Sequence, residues 1–476
     1  VSDVLPDKFD ENVVYVSFNN HKRDDFKPYI FKSADKGKTW KSIASNLPVN
    51  GPVNTIEQDF VNPNLLFVGT EWGFYFSLDG GEKWIELKSG LPKVKVCDIV
   101  LHKRENDIII ATFGRGFYII DNYTPLRLAS KEIMDMDSYI FPVKDALTFV
   151  QMGGRYGQGS TYFKSPNPEF GATITYYVKN VPKTLKAERK EKEKELFKDG
   201  KPISQPSFDD LRAEQEEKAP YFIFTIKDET GLIVKKITKS ASAGVNRIVW
   251  DLRYESTAPV MASNNKFDPV ARQNSGIFVM PGKYSVELSM VYRGEGKKLS
   301  GPVDFNVVVL NNTTLPAENR AELTAFQKKG AELVRTVMGA QRFANELANK
   351  VETIRQTINN SPGATFDMMK KANSIAKDLD EIQFKFSGPP VAASAEETPP
   401  REVTLTGRLR TMVGSQMRST SNVTEKQKIA YDVLYEEIQP VLQQLKKISE
   451  VDIKGLEAEL EKAGAPWTPG RTPELK

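Results

Sequence analysis

One short signature occurs twice near the start of the chain and limits its fold more than any other feature. The first copy is Ser33, Ala34, Asp35, Lys36, Gly37, Lys38, Thr39, Trp40; the second is Ser77, Leu78, Asp79, Gly80, Gly81, Glu82, Lys83, Trp84. The pattern S-x-D-x-G-x-[TK]-W thus recurs after 44 positions. A period of that size, filled with short apolar runs and Gly or Asp turns, is what one four-stranded propeller blade needs. Each copy lies between an apolar run (Tyr29, Ile30, Phe31; Phe74, Tyr75, Phe76) and a run restarting at the Trp, which makes it a hairpin turn. In such a turn the Asp carboxylate accepts bonds from nearby N–H groups, the Gly supplies a φ that other residues resist, and the Trp packs sideways into the blade. An Asp occupied in this way serves its turn and is not free for catalysis.

Two further alignments set the register. Residues 12–18 match 64–70 and then 107–112, with spacings of 52 and 43, the first lengthened by a polar insert at 21–28. Gly73, Phe74, Tyr75, Phe76 matches Gly116, Phe117, Tyr118, Ile119, but the third copy runs on into Ile120, Asp121, Asn122, Tyr123 without Gly or Trp and lacks the box. Three units do not close a propeller. The expectation is that further blades precede Val1 in a longer polypeptide, with a second chain as the other source.

The boxes resemble the Asp-box of the bacterial neuraminidase repeat, found in sialidases, some glucanases and sortilin-type receptors. The run Ala111, Thr112, Phe113, Gly114, Arg115, Gly116, Phe117, Tyr118, ending at Thr124, Pro125, Leu126, Arg127, is similar to the close of the propeller region in large bacterial sortilin-like proteins. That resemblance implies an exported protein of the periplasm or cell surface of a Gram-negative bacterium. It also implies structural roles for Ser33, Asp35, Gly37, Trp40, Ser77, Asp79, Gly81 and Trp84. Because sialidases clamp a carboxylate with arginines, Arg115 is a candidate binding residue, together with Trp72. Glu71 and Trp72 hold the equivalent slot one unit earlier, so no second arginine supports a clamp, and an ion pair or a solvated face competes.

From Phe141 the pattern changes to strands at 171–178, 221–227, 232–238, 246–252, 283–292 and 303–310, with turns such as Pro281, Gly282, which predicts an antiparallel sandwich. The glycine-rich run at 153–159 has neither a Gly-Lys-Ser/Thr nor a following helix and reads as a connection. The stretch Gly244 to Arg253 resembles an immunoglobulin-like or fibronectin-like module, in which Trp250 is core while Asp251 and Arg253 brace turns. Residues 183–218, dense in Lys and Glu without an apolar stripe, predict a solvated helix broken at the prolines of 202–206.

After residue 311 the period is helical. Phe326, Gly330, Leu333, Val337, Ala340, Ala344, Leu347, Val351, Ile354 and Ile358 form one seam, with Pro316 suited to a first turn. Met368 to Phe386 and Tyr431 to Ile448 give two partner helices, the latter with Pro440 as a kink site. A Pro/Ala/Glu loop at about 387–403 separates them, and the tail from Trp467 to Pro473 resembles the terminus of the sortilin-like family. The fold class is therefore multidomain and mainly β with an α C-terminus: the last blades of a propeller (1–125), a sandwich with a charged insertion (126–311), and a helical hairpin or bundle (312–476).

Composition narrows the chemistry. A net charge of +4 with 27% charged residues of mixed sign offers no nucleic-acid footprint, and no apolar run reaches membrane-spanning length. One cysteine, Cys97, reads as a small buried hydrophobe, and two histidines, His21 and His102, make neither a zinc site nor a triad. No catalytic residue, metal or cofactor is assigned. The first functional reading is a non-catalytic scaffold that binds protein partners, including a subunit of an outer-membrane or secretion complex. The alternative is a glycoside hydrolase or glycan-binding protein, which needs two carboxylates across the substrate that no spacing here singles out.

Overall fold

The computed structural model describes residues 1–88, 90–151, 159, 161, 163, 165–260, 267–310, 315–389, 402–414, 416 and 420–469. The glycine-rich run up to residue 158, residues 390–401 of the loop at 387–403 and the tail from residue 470 lie outside them. The chain is β-rich with a helical C-terminal part.

The repeats form three consecutive antiparallel sheets. The first has Asp3–Pro6, Val14–Asn20, Asp25–Ser33 and Lys41–Ser42 in sequence order, and the second has Val53–Gln58, Leu66–Thr70, Gly73–Ser77 and Ile85–Glu86 in the same order. The third has three strands, Val96–His102, Asp107–Thr112 and Phe117–Ile120. They pack face to face. Tyr15, Ile30 and Ile43 of the first sheet meet Ile56, Val68, Tyr75 and Trp84 of the second in one cluster, and Phe67, Phe74 and Phe76 meet Ile99, Ile108 and Ile110 of the third in another. Every residue of Leu66–Thr70 and of Gly73–Ser77 is buried, because the middle sheet is covered on both faces. Gly69 marks the closest approach, since a Cβ there would lie 2.5 Å from Val96 Cγ1.

The two box tryptophans have different surroundings. Trp84 is 2% exposed and donates its indole N–H to the Ile43 carbonyl at 2.7 Å. Trp40 is 45% exposed and folds back on its own turn, donating to the Gly37 carbonyl at 3.0 Å, so the inward packing expected of both belongs to Trp84 alone. The reason is positional: Trp84 lies against the preceding sheet, whereas the same side of the first sheet meets no other sheet among the described residues. Cys97 is exposed, which corrects its reading as a buried hydrophobe; on its strand Val96, Ile99 and Leu101 point inward.

Helices α1 (Thr124–Leu128) and α2 (Lys131–Asp135) lead into a sandwich. One sheet carries Ser138–Ile140, Ala172–Val178 and Gly244–Trp250; the other carries Ala146–Thr148, Glu295–Val309, Gly282–Tyr292, Tyr221–Asp228 and Ile233–Ser240 in spatial order. The pairing is antiparallel except that Ala146–Thr148 runs parallel to Glu295–Val309, a strand too short to be read from sequence. Trp250, fully buried, packs edge-on to Tyr284 and Phe305 in the core. A ribbon of Arg253–Glu255 and Ser275–Phe278 follows. The charged insertion is a helical hairpin: α3 (Leu185–Lys198) is followed, beyond the prolines, by a second helix, α4 (Phe208–Glu216), tied back by Arg189 to Glu214. The Ser207–Asp210 capping box starts α4 and was the overlooked local signal.

The C-terminal part has α5 (Arg320–Asn360), α6 (Phe366–Ser387), α7 (Leu405–Gly414), α8 (Glu425–Lys447) and α9 (Ile453–Lys462). The α5 helix has 41 residues, about 60 Å at 1.5 Å per residue. Pro316, expected in the first turn, lies ahead of the helix, which Asn319 caps by accepting from the N–H groups of Ala321 and Glu322. Its seam from Leu333 to Ile358 is buried against Leu379, Ile382 and Phe386 of α6 and Leu434, Ile438 and Val441 of α8. The α7 helix, absent from the sequence reading, seats the fully buried Met412 next to Gly330 of α5. A wider π-helical segment, Ile448–Asp452, joins α8 to α9. Among the described residues no helix is long and apolar enough to cross a membrane.

Trp84→Ala is expected to lower unfolding free energy by about 3–5 kcal/mol, and Trp40→Ala by less than about 1 kcal/mol, as read from urea midpoints. Equal losses would contradict the asymmetry of the two sites. Leu379→Ala, at a fully buried position, is expected to cost about 2–5 kcal/mol in the same measurement.

Candidate functional site

Each box ties up its own carboxylate. Asp35 Oδ1 accepts from the Ser33 hydroxyl (2.8 Å) and the Thr39 N–H (2.8 Å), and Oδ2 accepts from the Thr39 hydroxyl (2.6 Å). Asp79 Oδ1 accepts from the Ser77 hydroxyl (2.7 Å) and the Lys83 N–H (2.9 Å). The Ser33 and Ser77 oxygens in turn accept the N–H groups of Gly37 and Gly81, both at 2.9 Å. Gly37 and Gly81 have φ of 85° and 96°, and a Cβ on Gly81 would sit 2.9 Å from Ile43. The Thr39 hydroxyl and N–H, with Ser33, hold the Asp35 carboxyl down to about 2. Burial pushes Asp79 up, but Ser77 and the turn N–H groups outweigh it and its pKa is lowered.

A second repeated carboxylate went unread in the sequence. Asp7 and Asp59 each accept from N–H groups two and three residues on, Phe9 and Asp10 for the first, Val61 and Asn62 for the second. Asp7 is completed by Gln58 Nε2 (2.8 Å) and the Tyr15 hydroxyl (3.1 Å). Asp59 is fully buried and held by Arg127 through Nε and Nη2 (2.8–3.0 Å) and by the Tyr123 hydroxyl at 2.5 Å. Arg127 also lies over the Phe60 and Tyr123 rings. Burial pushes Asp59 up; the guanidinium, the phenol and two N–H groups outweigh it, and its pKa lies below the ordinary value. This cluster clamps the segment after the third sheet onto the second. In the third repeat the same position is His102, whose Nδ1 accepts the Glu105 N–H at 3.2 Å. The visible signal was the aligned pair Asp7–Asn12 and Asp59–Asn64.

Trp72 and Arg115 lie at the opposite end of the sheets from the boxes, since each strand runs from one end to the other between them. Trp72 is 53% exposed at the tip of its hairpin, its indole N–H donating to the Asn50 carbonyl at 2.8 Å. Arg115 is exposed between Gly114 and Gly116, both at φ 73°, and forms no ion pair among the described residues. The two hairpins are neighbours: Lys95 bridges them, donating through Nζ to Glu71 (3.3 Å) and accepting the Phe113 N–H at its carbonyl (3.0 Å). Phe113 and Phe117 are 72% and 76% exposed on this rim. Asn54 extends it toward the first sheet, accepting from Asn19 and donating to the Val96 carbonyl. The first hairpin there adds His21, Lys22 and Arg23. The rim is thus aromatic with charges of both signs, since Asp24 and Asp25 follow Lys22 and Arg23 and Glu71 pairs with Lys95. Among the described residues no group of His, Cys, Asp and Glu is arranged to hold a metal ion.

No protein-family model and no curated protein matches the chain. Among solved structures it is similar to an ancestral GH74 enzyme, at 27% identity over 24% of this chain and 14% of that one, with a TM-score of 0.21. It is similar to the GH74 xyloglucanase from Xanthomonas campestris at 13% identity over 25% of this chain and 20% of that one, TM-score 0.20. A third likeness is to PorZ, an essential surface component of the type-IX secretion system of Porphyromonas gingivalis, at 14% identity over 62% of this chain and 37% of that one, TM-score 0.20. The chain therefore spans well under two thirds of each, and at these TM-scores the likenesses fix neither fold nor activity.

Arg127→Ala leaves Asp59 buried without its cation and is expected to cost about 3–5 kcal/mol in chemical denaturation. Because the folded state holds Asp59 and Asp35 more acidic than the unfolded chain does, their contribution is complete above the unfolded carboxylate pKa of about 3.9 and falls away as pH drops further. The denaturation midpoint of the wild type is expected to fall more steeply below pH 4 than that of Asp59→Asn; parallel profiles would contradict the clamp.

Proposed function

We propose that the chain is part of an exported bacterial scaffold that binds a protein partner through the Trp72, Phe113 and Arg115 rim, without catalysis. In this reading the three sheets are consecutive propeller blades, the S-x-D-x-G-x-[TK]-W turns are structural Asp-boxes, and the sandwich and helices hold the array in a cell-surface or secretion complex. The observation that carries it is the contrast between the two ends of the sheets. At the box end the Asp35 and Asp79 carboxylates are engaged by their own turns, whereas at the rim Trp72 and Phe113 stay more than half exposed near Arg115, which forms no ion pair among the described residues. Large aromatic residues and arginine, exposed together, are the composition of protein-binding hot spots.

Exposed aromatic rings also stack on sugars, which keeps a glycan ligand as the second reading. Two measurements separate them. Cross-linking of the protein in its native cell envelope is expected to yield one stoichiometric protein partner, lost in Trp72→Ala and Phe113→Ala while the melting temperature stays unchanged. A xyloglucan oligosaccharide or sialyllactose is expected neither to be cleaved nor to raise that temperature. Cleavage abolished by substitution of a single carboxylate would overturn the scaffold reading.

A further inference from the structure

The third sheet is one strand short. In the first two sheets the strand after each box closes the edge: the Ile43 N–H donates to the Ile30 carbonyl and the Leu87 N–H to the Phe74 carbonyl, both at 3.0 Å. In the second sheet this sets Ile85 opposite Phe76 and Glu86 opposite Tyr75. Phe117 and Ile119 stand 43 positions beyond Phe74 and Phe76, but the third sheet ends at their strand, Phe117–Ile120, and no further strand among the described residues pairs with it. The chain itself turns away. Asn122 has φ 44°, and Pro125 lies in the first turn of α1.

The direction in which this edge is open follows from the ladder. The Thr112 N–H donates to the Gly116 carbonyl at 3.0 Å, and bonded pairs alternate in an antiparallel ladder, so Tyr118 and Ile120 bond inward to Asp107–Thr112. The N–H and C=O groups of Phe117 and Ile119 therefore face outward, as the Phe74 carbonyl does in the second sheet. Exposed edges are ordinarily blunted by Lys, Pro or a bulge. Phe117, Tyr118, Ile119 and Ile120 carry none of these, and the Phe117 and Ile119 side chains are 76% and 60% exposed. The edge is four residues long, about 13 Å at about 3.3 Å each, whereas a stable interface between folded proteins buries about 1,200–2,000 Å². So short an edge suits an extended segment and not a second folded copy of the chain.

We propose that the third sheet captures an extended segment of a partner protein as its missing fourth strand, antiparallel to Phe117–Ile120. The segment donates one N–H to the Phe117 carbonyl, as Leu87 does to Phe74, and pairs with both backbone groups of Ile119. It places an apolar residue opposite Ile119 and, as Ser42 and Glu86 do in the first two sheets, a polar one opposite Tyr118. This edge is separate from Trp72, Phe113 and Arg115, so either site can fail without the other.

The test is isothermal titration calorimetry of the full chain with a capped synthetic peptide of its own residues Glu82 to Lys88, the segment that closes the second sheet. The peptide is expected to saturate one site and to slow hydrogen exchange at the Ile119 amide. The same peptide N-methylated at the Leu87 amide lacks the donor for the Phe117 carbonyl and is expected to bind at least about tenfold more weakly, a difference of about 1.4 kcal/mol. Ile119→Pro removes an outward N–H at an edge, where proline is tolerated, and is expected to abolish binding at an unchanged melting temperature. Should that variant fail to fold, the N-methylated peptide decides the matter on the wild type. Trp72→Ala is expected to bind the peptide in full. Absence of saturable binding up to about 1 mM, equal binding of the N-methylated peptide, or full binding by Ile119→Pro would each overturn the proposal. So would a peptide-free dimer in sedimentation that Ile119→Pro dissolves, because a second copy would then occupy the edge.

Discussion

An antiparallel sheet with apolar residues on both faces cannot stand in water, and the amino-terminal quarter of this chain is built around that requirement. The middle sheet satisfies it completely: ten consecutive-strand residues, Leu66–Thr70 and Gly73–Ser77, are buried because a neighbour covers each face. Small residues make the approach close enough. Gly69 admits Val96, and Gly81 admits Ile43, so the left-handed turn and the sheet contact are met by the same glycine. Trp84 then fills the wedge between the first two sheets and holds the Ile43 carbonyl. The outer sheets meet the requirement on one face only, which leaves Trp40 half exposed at one side of the stack and Val100 at the other.

The same stack is linked to the sandwich by polar contacts. Arg247, on the Gly244–Trp250 strand, donates to the carbonyls of Asp121 and Asn122 at 2.9 and 2.6 Å, just beyond the last strand of the third sheet. Lys144 reaches Glu105, and the Tyr177 hydroxyl donates to the Met134 carbonyl at 2.8 Å. At the far side of the sandwich the ribbon meets α5, with Arg253 stacked 3.7 Å from the Phe278 ring centroid and donating to the Gly276 carbonyl. Arg247 thus joins the stack to the sandwich through carbonyls, contacts that lose little to salt, while Arg253 holds the ribbon together.

What was legible in the sequence was whatever repeats or has a period. The register of the three units, the positions of the six longest sandwich strands and the helical seams all follow from spacing alone, because period 2 and period 3.6 are local properties. Four kinds of feature were not legible. Short strands such as Ala146–Thr148 are too brief to show a period, and α7 is short and held by Gly330 and α8 rather than by its own pattern. The Asp59–Arg127 clamp joins residues 68 apart, and nothing in either segment names the other. The exposure of Trp40 and Cys97 depends on which sheet faces which, a fact of assembly that one strand does not carry. On the rim, Trp72 and Arg115 were singled out, but Phe113 and Lys95 were not, since their closeness arises only when two hairpins lie side by side.

The π-helical segment at Ile448–Asp452 corrects the phase of a stripe. Along α8 the buried residues Tyr431, Leu434, Ile438, Val441, Leu445 and Ile448 advance by threes and fours, a mean near 3.5, and a straight α-helix lags behind such a stripe by about 20° every seven residues. Left alone, that drift would carry the next apolar residues around toward water before α9 reached its neighbours. The next buried position is Ile453, five residues on, after which Leu456 and Leu460 resume the shorter steps. One extra residue inside a wide turn resets the angle, and a single continuous rod keeps its oily side on the same core from Tyr431 to Leu460 without a break in the backbone.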